Sequence, residues 1–172
     1  MTRPMAAWRT TYTPGQWLAL TGPNTLVVMA PPPAGAAASV AELWSSVVGA
    51  GSLDALMNLV AEVGLDAMPD LGAFHWDDDG LHGIARGRVR ILDAHSGDVV
   101  LQGEGAVTWR EEHLGRERTL DISLEEPDGQ WRLPLVVGAA MVASIQLTTD
   151  PAALVSFPAG EEPARGEHQE PA

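Results

Sequence analysis

The chain has no cysteine, no lysine, one tyrosine and two phenylalanines in 172 residues. Without cysteine there can be no disulfide framework, thiolate nucleophile, iron–sulfur cluster or thiolate zinc site. Without lysine there is no GxxxxGK[ST] phosphate loop. Positive charge is scarce as well: 10 basic residues, all arginine, stand against 23 acidic ones, for a net charge of −13. A chain with an isoelectric point near 4.5 repels phosphate backbones, so no nucleic-acid partner is expected. Long apolar runs are missing too. The longest, "LPLVVGAAMVASIQL" at 133–147, is interrupted by Pro134, Gly138, Ser144 and Gln146. It falls short of the roughly 18 residues that span a bilayer, so no membrane insertion is expected. The opening "MTRPMAAWRTTYTPG" lacks the apolar stretch of about 7–15 residues that a secretory signal needs, which predicts a cytoplasmic protein.

Apolar residues make up 45% of the chain and charged residues 19%, a composition that folds. The length suits one domain, expected over 1–157. The remainder, 158–172, holds prolines and glutamates and no large apolar side chain, and predicts an acidic tail or linker that does not order. "WLALTGPNTLVVM" at 17–29 sets two apolar runs around Gly22-Pro23-Asn24 and predicts a β-hairpin. "APPPAG" at 30–35 cannot donate to a ladder and predicts a crossover. Ser39-Val40-Ala41-Glu42 has capping-box chemistry, and Val40, Leu43, Trp44, Val47 and Val48 follow at helical spacing. Ser52 can cap a second helix with Leu53, Leu56, Val60 and Val63 on its apolar stripe, ended near Gly64. From 71 onward the period is 2, with turns at 77–80, 95–98 and 126–129. Strands are predicted near 71–76, 81–92, 98–102, 106–111, 117–125, 130–133 and 136–147, the last with a helical alternative around its alanines. The expected fold is α+β: an N-terminal hairpin, a two-helix hairpin, then an antiparallel meander covered on one face by the helices.

Candidate chemistry is sparse. "HWDDDGLH" gathers His75, Asp77, Asp78, Asp79 and His82, but a calcium loop starting at His75 would have the wrong first residue and Arg86 at its twelfth position. An Asp-rich turn explains the run, because Asp and Gly suit turn dihedrals. "DAHSGD" with Asp93, His95 and Asp98, and the isolated His113 and His168, read as solvated loops. "GEGAVT" at 103–108 is short of the dinucleotide fingerprint, and no GxSxG elbow occurs. No nucleophile–base pair is visible, so no catalytic residue, metal ligand or cofactor is expected. Most tryptophans fit core or sheet packing, while Trp109 in "TWREE" could anchor an interface. In "GIARGRVRIL" at 83–92, strict alternation predicts Arg86, Arg88 and Arg90 on one strand face, with Ala85, Gly87, Val89 and Ile91 on the other, toward the helices. The complementary strand "TLDISLE" would set carboxylates across from these arginines and leave the face internally neutralised. An anion-binding stripe is the alternative.

As a set, "TTYTPGQWLAL", "VAELW", "ARGRVRI" and "AVTW" resemble the N-terminal domain of actinobacterial proteins that carry a C-terminal forkhead-associated domain. The resemblance covers about 10–147. It implies a cytoplasmic signalling or assembly adaptor, with a separate domain reading phosphothreonine. That reader needs a Gly-Arg, a Ser-x-x-His and an Asn in succession; Gly115-Arg116 is followed by neither, so phosphopeptide reading does not transfer. The function expected is therefore a non-enzymatic adaptor that contacts a protein partner or itself. The alternatives are a metal- or small-molecule-binding enzyme built on the His/Asp turns, and a virion-type assembly protein.

Overall fold

The computed structural model describes residues 4–30, 40–61, 69–106, 108–127, 129 and 131–156. Strands β1 (Arg9–Thr21) and β2 (Thr25–Met29) form the hairpin expected from Gly22-Pro23-Asn24, closed by the Gly22 N–H donating to the Thr25 carbonyl at 2.8 Å. Helices α1 (Val40–Gly49) and α2 (Leu53–Ala61) follow. Ser52 caps α2, its Oγ accepting from the Ala55 N–H at 3.0 Å. The crossover at 31–35, Ser39, Val63, Gly64 and the tail lie outside the described residues. The strands continue as β3 (Leu71–Asp77), β4 (Gly80–Arg86), β5 (Arg90–Asp93), β6 (Val99–Gln102), β7 (Arg110–Gly115), β8 (Thr119–Ser123), β9 (Leu133–Pro134) and β10 (Gly138–Thr148).

The strands make one antiparallel sheet in the order β6-β5-β8-β10-β1-β2-β3-β4-β7, with β9 paired to β1. The sheet curls until β6 lies near β4 and β7, giving a nearly closed barrel. Alternation builds two cores from one wall. Trp17, Ala19, Leu26, Val28, Phe74, Leu81, Ala85, Val89, Ile91, Leu120, Ile122 and Ile145 fill the inside, with Trp8. Leu18, Leu20, Val27, Met29, Leu71, Ala73 and Ile84 point outward, where Val47, Leu53, Leu56 and Met57 of the helices cover them. The helices thus cover the outer face over β1 to β4, a part of the face they were expected to cover.

The meander is only partly realised. Its break is Gly87, at φ +73, which ends the strand expected over 81–92 and divides it into β4 and β5. β4 pairs with β3 and β7, whereas β5 pairs with β6 and β8. In-and-out parity survives the break, but the apolar set Ala85, Val89 and Ile91 faces the barrel interior and not the helices. Ile84, which shares the outer face with Arg86, is the residue beneath the helices. The expected strand at 106–111 begins only at Arg110, the one at 130–133 shrinks to Leu133–Pro134, and the alanine-rich end is a strand.

Candidate functional site

The three arginines do not make one stripe. Arg86 donates from Nη1 to the Thr108 carbonyl at 2.6 Å. Arg88 sits in the turn, its Nε on Asp70 Oδ2 at 2.9 Å and its guanidinium 5.7 Å from the Trp17 ring centroid. Arg90 is exposed on β5, opposite Ser123 and Gln102. The expected carboxylates are not across from them: Asp121 faces Leu92 and accepts from Gln146 Nε2 at 3.1 Å. Trp109 is half-buried and packs against the helix-covered cluster. Trp131 falls in the strand expected over 130–133, where sheet packing would bury it, yet it is 71% exposed and precedes β9. Val137 and Met141, both more than two-fifths exposed, lie on the same stretch of chain. Nothing in the local sequence "QWR" separates such a tryptophan from a packed one, because exposure there depends on where β9 ends.

An open, mainly apolar groove of about 620 Å³ lies at one end of the barrel, lined by Met5, Ala7, Pro23, Trp76, Arg116 and Leu154 among others. Arg116 lies 5.6 Å from the Trp76 ring centroid and donates to the Asp78 carbonyl.

The residues of "HWDDDGLH" converge more than their spacing required. A two-residue turn joins β3 to β4, with Asp77 opposite Gly80, whose φ of +114 favours glycine. Asp77 Oδ1 accepts from the Asp79 N–H at 2.8 Å and lies 3.1 Å from His82 Nε2. The Asp79 N–H, with His82 adding to it, holds the Asp77 carboxyl below its ordinary range. Register sets His75 opposite His82 and His82 opposite His113, so three imidazoles occupy one row across β3, β4 and β7. The His82 and His113 rings meet edge to face at 4.7 Å between centroids, and His113 Nε2 lies 2.8 Å from the Asp79 carbonyl oxygen. His75 is buried, and that burial lowers its pKa and favours the neutral ring; His82 adds to the lowering and Asp77 opposes it. Asp93 and His95 form a separate turn, where Asp93 Oδ1 accepts from the His95 and Ser96 N–H groups and Oδ2 from Arg118. No family model, curated protein or solved structure matches this chain.

Proposed function

We propose that the chain is a non-enzymatic interaction module of the cytoplasm, in keeping with its resemblance to the N-terminal domain of forkhead-associated proteins. The observation that carries this reading is Trp131, 71% exposed beside a two-residue strand. Tryptophan is, with tyrosine and arginine, among the side chains most enriched at the residues that dominate protein–protein affinity. Val137 and Met141, further along the chain, are also exposed apolar side chains, and Arg132, beside Trp131 in sequence, reaches Thr11 Oγ1 at 3.3 Å. A second copy of the chain or another protein would cover this surface.

Sedimentation velocity over a range of concentrations, for wild type and Trp131→Ser, tests the reading. A concentration-dependent dimer that the substitution abolishes identifies self-association. If wild type stays monomeric, a photo-crosslinking residue at 131 in cells should capture one discrete partner, and one at exposed Glu104 should not. A monomer that gives the same crosslinks from both positions overturns the proposal.

A further inference from the structure

We infer that the outer wall of the barrel carries a divalent transition-metal site, with Asp77, Asp79 and His82 as its primary ligands, His113 and His75 beside them, and Zn²⁺ as its ion. One ligand atom from each of Asp77, Asp79 and His82 lies within 4.8 Å of the others. Small side-chain rotations close that spacing to the roughly 3.3–3.5 Å separating two donors on one tetrahedral zinc. The ligands come from one short turn: the loop is only two residues long, and the Asp79 N–H donates to Asp77 Oδ1 at 2.8 Å.

A second observation points the same way. His75 is 4% exposed, yet its Nδ1 has no hydrogen-bond partner among the described residues. Its neighbour across the β2–β3 ladder, Thr25, has a buried Oγ1 in the same condition. Buried polar atoms are normally satisfied, and register places this imidazole beside His82 on the same face of the wall. His113 completes the row from the edge strand β7, its ring against that of His82. An ion held here would tie β7 to the β3–β4 turn.

Donor chemistry selects the ion. Calcium and magnesium take six or more oxygens, whereas a mixed imidazole and carboxylate set suits zinc and its first-row neighbours. Ligation through His82 Nε2 requires the neutral tautomer that carries its proton on Nδ1.

The test is calorimetric titration of the full chain, stripped of metal, with Zn²⁺ and separately with Ca²⁺, alongside the Co²⁺ absorption spectrum. The expected result is saturable binding of one Zn²⁺ per chain, a Zn²⁺-dependent rise in Tm, and no comparable Ca²⁺ binding. His82→Gln and Asp79→Asn should each weaken Zn²⁺ binding by about tenfold or more, while His95→Gln, at the unrelated turn, leaves it unchanged. Circular dichroism checks that the variants fold; Asp79 is exposed and outside the core, so its variant serves if His82→Gln does not fold. No saturable Zn²⁺ binding, equal Ca²⁺ binding, or binding that survives both substitutions overturns the inference.

Discussion

Gly83 faces the barrel interior, where an added Cβ would stand 2.8 Å from Leu114 Cδ1 and 3.2 Å from both Leu101 Cδ2 and Phe74 Cε1. The space left by the missing side chain is shared by Leu114, Leu101 and Phe74. Gly83→Ala should therefore cost about 1–3 kcal/mol by overpacking, read from the shift of a urea unfolding midpoint. Asp93 makes a different kind of contribution. The Ser96 N–H, then the His95 N–H and Arg118, hold its carboxyl below the ordinary value of 3.8. The unfolded chain thus binds more protons in that interval, so the stability from Asp93 is complete above 3.8 and disappears as the pH falls through the folded value. In thermal unfolding between about pH 6 and pH 2, Asp93→Asn should show a shallower acid decline in Tm than wild type. Equal slopes would mean that these hydrogen bonds do not persist in solution. Both residues were visible in the sequence as a small residue and a turn acid, but their roles needed neighbours far along the chain.

β1 shows how an element can be legible while its distortion is not. "WLALT" reads as a strand by alternation and is one, but β1 extends back to Arg9 and carries register shifts at Pro14 against β10. Proline has no N–H for the ladder, and Gly15 lets the bulged backbone approach β10 so closely that a Cβ there would lie 2.5 Å from the Ala143 nitrogen. Gly15→Ala cannot relieve this contact by rotating a side chain, since the opposing atoms are the backbone and Cβ of Ala143. It should destabilise by more than Gly83→Ala, with loss of near-UV circular dichroism from the neighbouring Trp17 as the more specific sign. The helices were the most legible elements, since period and the Ser52 cap agree with their packing. The strand expected at 106–111 was displaced because Gly105, at φ +85, and the half-buried Trp109 belong to the approach to β7.

At the scale of the whole molecule, closure is incomplete at one seam. β6 and β7 are the two ends of the strand order, and the segment through Glu104 and Gly105 joins them without a ladder between them. Gly103 lets this seam narrow at one end, since a Cβ there would lie 2.4 Å from the Arg86 carbonyl carbon. The described ends of the chain meet elsewhere, where the Met5 N–H donates to the Val155 carbonyl at 2.8 Å and Pro4 bridges Ser156. A circular permutant joining Ser156 to Pro4 by a short linker, and opened between Glu104 and Gly105, interrupts no ladder. It should unfold in one cooperative transition with the far-UV spectrum of the parent. A non-cooperative melt would show that the β6–β7 connection is needed to hold the curl.

The sequence alone determined the local chemistry: the GPN hairpin, two amphipathic helices, the Asp-rich turn, and the alternation of the strands at 81–92 and 117–125. These follow from dihedral preference and periodicity, which act over a few residues. Beyond the hairpins, only the tertiary structure decided which strand lies beside which. Pairing depends on contacts between distant segments, such as β1 with β10, and on the single kink at Gly87 that sent β4 and β5 to different neighbours. That decision dispersed Arg86, Arg88 and Arg90, left Trp131 in solvent, and aligned His75, His82 and His113 in one row. A histidine's partners across a sheet are set by register, and register is a property of the assembled wall.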